Sequence, residues 1–93
     1  MSSMSDVRAY DVVIGALKTF GTQVGVAAGQ MSSAGQAVVA GTNGDESAEK
    51  ASARIQSLQK PIGEICSRAY NIAASLEDIR DAIIDAVQTG KDL

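Results

Sequence analysis

The sequence of 93 residues contains no histidine and no tryptophan, and its three aromatic residues are Tyr10, Phe20 and Tyr70. Without histidine, the chain lacks the side chain that most often serves as a general base or metal ligand near neutral pH. The scarcity of aromatic residues, together with a net charge of −3, argues against the base stacking and phosphate contacts of nucleic-acid binding. The composition therefore predicts no enzyme, no cofactor and no nucleic-acid partner.

Residues with reactive or metal-binding side chains are also few. The single cysteine, Cys66, cannot form a disulfide within the chain, and with no histidine to activate it we expect a small apolar residue beside the core. Glu77, Asp81 and Asp85 recur every four residues, but they lie off the apolar pattern and lack a glycine-bearing loop. We expect a solvated acidic face rather than a metal site.

The sequence also shows no pattern typical of a signal peptide or a membrane span. The first residues show no basic region followed by an apolar run, so no Sec-type signal peptide is expected. Residues 20–40 carry several polar side chains, among them Gln23 and Gln30, and are too polar to predict a membrane span.

Apolar and small residues recur at alternating spacings of three and four in both halves of the chain. In the first half the stripe comprises Tyr10, Val13, Leu17, Phe20, Val24, Ala27, Met31, Ala34 and Val38. In the second half it comprises Ala48, Ala51, Ile55, Leu58, Ile62, Ile65, Ala69, Ile72, Leu76, Ile79, Ile83 and Ala86. This heptad pattern predicts two long helices, over about residues 6–40 and 46–88, with a kink or restart at Pro61.

Residues 41–45 separate the two stripes and include Thr42, Asn43 and Gly44, a composition typical of a turn. Asn43 is expected to cap the second helix, with Glu46 completing a capping box. Since each helix has one apolar stripe to bury and the connection is short, the helices must fold back antiparallel. The sequence predicts an all-α single domain over residues 1–93, an antiparallel helical hairpin that pairs into a four-helix bundle.

The two predicted helices differ in the residues outside the stripe. The first has no charged residue from Thr19 to Ala40, whereas the second is rich in charge. This asymmetry predicts a second buried face on the first helix, covered by another chain. Gly21, Gly25 and Gly29 are spaced by four and are expected to form a groove where a partner helix approaches closely.

The second helix is also expected to extend past the first. If the turn is centred near residues 42 and 43, residue i lies opposite roughly residue 85 − i, and the second helix projects by about two to three turns. The predicted partner-binding residues in this extension are Ile79, Ile83, Ile84 and Val87.

A short chain without a signal peptide, folded as a hairpin of two long helices around a glycine-bearing turn, resembles the WXG family of small type VII secretion proteins. More loosely, it resembles the small helical partners of LXG toxins. The family's Trp-x-Gly turn corresponds here to Thr42-Asn43-Gly44, where the glycine matches and the tryptophan is absent. The family's Tyr-x-x-x-Asp/Glu signal has no match, because Ile14 and Ala74 stand four residues after the two tyrosines.

The resemblance implies a non-enzymatic protein that forms a homodimer, or a heterodimer with a related small helical protein or the N-terminal helical domain of a toxin. It implies recruitment to the type VII secretion machinery as a substrate or as a targeting factor for a larger effector. The implied location is the cytoplasm before export, then the medium or cell surface by a signal-peptide-independent route. Two alternatives stay open: a needle-like, self-assembling hairpin subunit resembling those of type III secretion, and a small cytoplasmic adaptor.

Overall fold

The computed structural model describes residues 4–90, which form two long helices joined by a four-residue loop. Helix α1 spans Met4–Gly41 and helix α2 spans Glu46–Thr89, with no strand within residues 4–90. Contacts such as Asp11 with Arg80 and Ser32 with Gln56 show that the helices run antiparallel. The predicted all-α helical hairpin is confirmed, and it is an elongated body of 68 × 15 × 13 Å.

Residues 42–44 end α1 and reverse the chain. The backbone N–H of Thr42 donates to the Val38 carbonyl at 2.9 Å, and its hydroxyl donates to the same carbonyl at 2.8 Å. Asn43 (φ 56°) and Gly44 (φ 90°) then adopt left-handed backbone conformations, which asparagine and glycine tolerate best. The helix cannot continue through two such residues, so the chain turns here.

The residue that caps α2 differs from the expected one. Asp45 is the N-cap, and its carboxylate accepts a hydrogen bond from the Ala48 backbone N–H at 3.0 Å. The prediction of Asn43 as the cap is wrong, because an N-cap residue needs an extended backbone and Asn43 is left-handed. Asp45, with φ −58° and ψ 126°, has that extended conformation.

Helix α2 passes through Pro61 without interruption. A restart of the helix at this residue is therefore not observed. Pro61 is exposed, and the helix continues to Thr89, where Gly90 in the left-handed conformation ends it.

The core between the helices uses only part of the predicted stripe on α1. The buried residues of α1 recur every seven positions: Val7, Ile14, Gly21, Ala28 and Gly35. Tyr10, Leu17 and Val24 of the predicted stripe are half-buried beside this line, whereas Val13, Phe20, Ala27 and Ala34 are exposed. The hairpin therefore closes on a line of mostly small residues that the predicted stripe did not contain.

Helix α2 shows the same division. The buried and half-buried line of α2 includes Ser52, Ile55, Gln59, Ile62, Cys66, Ala69, Ala73, Leu76, Arg80 and Ile83. The other members of the predicted stripe lie outside it and are exposed: Ala51, Leu58, Ile65, Ile72 and Ile79. Of the nine stripe residues of α1, three are thus half-buried and six exposed, whereas seven of the twelve on α2 are buried or half-buried and five exposed.

Close approach of the two helices explains why the line of small residues is the buried one. A Cβ atom added at Gly21 would lie 2.9 Å from Cζ of Tyr70, and one added at Gly35 would lie 3.2 Å from Cδ1 of Ile55. Side chains of α2 therefore rest directly on the backbone of α1 at these glycines. Dispersion contacts at such short range offset the low helix propensity of glycine.

The expected projection of α2 beyond α1 is wrong. The predicted alignment places Asp11 opposite Ala74, yet its carboxylate binds Arg80. Because α1 runs to Gly41 and α2 begins only at Glu46, the turn lies later in the chain, and this shift moves every partner further along α2. Ile83 consequently lies in the core at 5% exposure instead of projecting past α1.

Candidate interaction surface

Ion pairs bridge the two helices along one side of the hairpin. Arg80 donates to the Asp11 carboxylate across the hairpin at 2.9 Å and to Asp81 on its own helix at 3.0 Å. The hydrogen bond to Asp11, followed by that to Asp81, raises the pKa of the Arg80 guanidinium above its ordinary value. Lys18 lies two turns after Asp11 on α1, and Glu77 lies one turn before Arg80 on α2. Nζ of Lys18 is 2.5 Å from Oε1 of Glu77.

Hydrogen bonds continue the same side towards the turn. The hydroxyl groups of Thr22 and Tyr70 lie 2.8 Å apart, and the Ser32 hydroxyl donates to Oε1 of Gln56 at 3.0 Å. These four bridges define the polar flank of the hairpin. Its groups are partly exposed, so each contributes little to stability, but together they fix how the helices align.

Heptad positions show which residues lie on the side of the hairpin opposite the polar flank. With the buried seven-residue line of α1 as position a, Lys18 and Ser32 are at position e, and their partners on α2 are at e as well. In an antiparallel pair of helices, e residues face e residues on one side and g residues face g residues on the other. On α1 the exposed stripe residues from Val13 to Ala34 that are spaced by seven are at position g, and the exposed stripe residues of α2 are at g as well. The two sets therefore lie on the same side of the hairpin.

We call this side the apolar flank. Its members on α1 are Val13, Phe20, Ala27 and Ala34, joined near the turn by Met31 and Val38, and its members on α2 are Ala51, Leu58, Ile65, Ile72 and Ile79. Phe20 is 47% exposed, Ile65 47% and Ile72 51%, values unusual for large apolar side chains on a monomer. The flank runs along most of the hairpin's length.

The core between the two helices contains few large side chains, in contrast to the apolar flank. Within residues 4–90, the large aliphatic side chains that are buried are Val7, Ile14 and Ile83, and the rest of the buried set is alanine and glycine. The chain exposes 6335 Å², against about 5,000 Å² for a typical monomer of its mass of 9.5 kDa, an excess of about 1,300 Å². That excess exceeds the roughly 800 Å² that one partner contributes to a standard protein interface.

The predicted partner-binding residues are dispersed over the hairpin. Gly21 and Ile83 lie in the core, so the predicted groove of three glycines is not a single surface. Gly25 and Gly29 are exposed towards the polar flank, and a Cβ added at either would meet nothing within 4 Å. The remaining three differ in exposure: Ile79 belongs to the apolar flank at 46%, Val87 is 38% exposed and Ile84 is half-buried.

Sequence reasoning placed Phe20, Ile65 and Ile72 in the core of the hairpin and so missed them as surface residues. A signal was present in the seven-residue spacing of Val7, Ile14 and the small residues that follow them. A helix with three adjacent heptad lines can bury only two of them against one partner helix.

Two further chemical properties bear on the surface. Within residues 4–90, no group of three or more Cys, Asp or Glu side chains is placed to hold a metal ion. Helix α1 is long and apolar enough to cross a membrane by length and composition, a test that core helices of soluble proteins also pass. The prediction that residues 20–40 do not form a membrane span therefore stays a prediction.

Comparisons with protein families, with curated proteins and with solved structures found no match. The apolar flank and the architecture of the hairpin are therefore the features that bear on its function.

Proposed function

We propose that this chain is a non-enzymatic, small helical protein of type VII secretion. In this proposal it acts as a secreted substrate or as the targeting partner of a larger LXG-type effector. It does so by pairing its apolar flank with a second helical hairpin in a four-helix bundle. It is made in the cytoplasm and reaches the medium or the cell surface without a signal peptide.

The observation that carries the proposal is the apolar flank itself. Large side chains such as Phe20, Leu58 and Ile72 lie on one side of a two-helix layer, where about half of each residue is exposed to water in the isolated chain. Covering them with two more helices would build a second apolar layer parallel to the thin core. A four-helix bundle is the standard architecture that closes such a layer.

The dimensions of the hairpin favour a helical partner of similar length. A face of 68 × 15 Å has an area of about 1,000 Å², which matches the contribution of one partner to a standard interface. A globular partner would cover only part of so long a strip, whereas a second hairpin can follow it from end to end. The secretion role is further supported by the chain's resemblance to the WXG family in length, hairpin architecture and central turn.

Export can be tested in a bacterium that carries a type VII secretion system, with the tagged chain measured in the medium and in cells. We expect export that stops when the secretion ATPase is inactivated. We also expect loss of export for the flank variant Ile65→Glu with Ile72→Glu, because two buried carboxylates would disrupt the bundle. A matched control, Ser67→Glu with Asn71→Glu, adds the same charge at exposed positions away from the flank.

The control variant should be exported like the wild type. Export that persists without the ATPase would contradict the secretion role. Wild-type export of the flank variant would show that the apolar flank is not used in the process. Circular dichroism of both variants should show the helical content of the wild type, because all four positions are exposed in the hairpin.

A further inference from the structure

The rim of the apolar flank carries charge of one sign on α2. Within residues 4–90, the charged residues at the g and c heptad positions are Arg54, Arg68 and, at the open end, Asp6. Both arginines are exposed, and neither makes an ion pair within that range. They stand on the same side of α2, about 21 Å apart along its axis at 1.5 Å per residue.

Apart from Asp6 at the open end, the corresponding rim of α1 is uncharged within the described residues. Its c positions are Ala9, Ala16, Gln23, Gln30 and Ala37. The acidic residues of α2 are at positions b, e and f, none of which borders the flank: Glu46, Glu49, Glu64, Glu77, Asp78, Asp81 and Asp85. The g and c positions beside the arginines therefore hold no carboxylate, and Glu64, one turn before Arg68, makes no ion pair with it in the part of the chain that the structure describes.

This distribution argues against a second copy as the occupant of the flank. Two copies related by a two-fold axis can pair with α2 antiparallel on α2, which opposes Arg68 to Arg68 of the other copy near the middle of the helix and Arg54 to Ala82. Alternatively α2 can stack on α1 of the other copy, which places Arg54 and Arg68 against glutamine and alanine. Neither arrangement places a carboxylate of the g or c positions opposite an arginine, and the first opposes Arg68 to its own copy.

We propose that the apolar flank is occupied by a helical hairpin of a different chain whose rim carries carboxylates opposite Arg54 and Arg68. The inference rests on the proposed pairing of the apolar flank and names the chemistry of the partner. The apolar side chains supply the attraction, and the arginines select an acidic rim over a neutral or basic one. The arginines are thus specificity-determining residues of the interface.

The test uses an acidic-rim copy of this chain as the partner probe. The copy carries four substitutions at exposed c positions: Gln23→Glu, Gln30→Glu, Arg54→Glu and Arg68→Glu. A control copy has the same change in net charge at exposed b and f positions: Thr19→Glu, Ser33→Glu, Lys50→Glu and Lys60→Glu. Each copy is mixed with an equal amount of mass-tagged wild-type chain, and native mass spectrometry measures the homodimers and heterodimers.

We expect the wild type to bind the acidic-rim copy about 3-fold to 10-fold more tightly than it binds itself, as two rim ion pairs would give. The heterodimer share should exceed the statistical half in low salt. It should return to about half in 1 M NaCl, where the screening length is about 3 Å. The control copy should give the statistical share, and a wild-type chain with Arg54→Gln and Arg68→Gln should lose the preference.

A statistical share with the acidic-rim copy, an equal preference for the control copy, or no complex in any mixture would overturn the inference. Co-sedimentation of the wild-type chain with phosphatidylglycerol vesicles, in place of pairing with the acidic-rim copy, would overturn it in favour of a membrane surface. These outcomes are independent of export. Selective pairing without ATPase-dependent export would contradict the secretion role and leave the acidic-partner inference standing.

Discussion

Replacing Gly21 with alanine tests whether close helix contact determines the fold of this hairpin. A Cβ atom at this position would lie 2.9 Å from Cζ of Tyr70 and 3.2 Å from Cε1 and Cε2 of the same ring. Real Cβ atoms essentially never come so close, so the ring must move. Gly25 lies one turn further along α1, and a Cβ there would meet nothing within 4 Å.

The two substitutions share the same gain in helix propensity, so their difference isolates the contact with Tyr70. Gly25→Ala should raise the free energy of unfolding by about 0.5–1 kcal/mol. Gly21→Ala gains the same amount but displaces the ring and breaks its 2.8 Å hydrogen bond to Thr22, at a cost of about 1–2 kcal/mol. Tyr70 is 41% exposed and can swing outward, which limits the cost to this range.

Urea unfolding followed by circular dichroism measures both variants, at one fixed chain concentration because association would add to apparent stability. We expect Gly21→Ala to be less stable than Gly25→Ala by about 1–2 kcal/mol. In a Tyr70→Ala background the obstacle is gone, and both alanines should stabilise the chain equally. Equal stabilisation in the presence of Tyr70, or a difference that persists without it, would refute the proposed close contact.

Three other predictions concern the turn and the open end of the hairpin. Asp45→Ala should lower the melting temperature through a loss of about 1 kcal/mol, while Asp45→Asn should stay near the wild type, since asparagine caps about as well. Gly44→Ala should cost about 1 kcal/mol in urea unfolding because φ is 90° there, whereas Asn43→Gly should be nearly neutral; equal effects would contradict the left-handed turn. Truncation after Asp78 removes the buried Ile83 and should lower the free energy of unfolding by at least 2 kcal/mol, so a truncated chain as stable as the wild type would show that this end does not pack.

The candidate surface could be predicted only in part. The uncharged stretch of α1 indicated that something besides α2 covers this helix, and the structure shows a continuous exposed flank of apolar side chains. The residues of that flank were expected in the core, because Val13 and Phe20 are larger and more hydrophobic than Gly21 and Ala28. Size alone misleads here, since small residues let two backbones approach and gain contacts that bulky residues would prevent.

The position of the charged residues likewise depended on the register between the helices. Glu77 was predicted to be part of a solvated acidic helix face, yet it binds Lys18 across the hairpin, and Arg80 binds Asp11. Residues spaced by three and four share one face of a helix, but the spacing does not show whether that face contacts the neighbouring helix. A displacement of the turn by one or two residues changes every pair across it.

The sequence by itself determined that the chain forms two long helices with a turn near Asn43 and Gly44, because heptad periodicity and local backbone preferences act within a few residues. It also shows directly that histidine is absent and that cysteine occurs once. The tertiary structure alone decided which heptad line is buried, since that choice depends on how closely two helices can approach. By burying the line of Gly21 and Gly35, the fold leaves Phe20 and its neighbours exposed, and so creates the apolar flank that we propose pairs with a second hairpin.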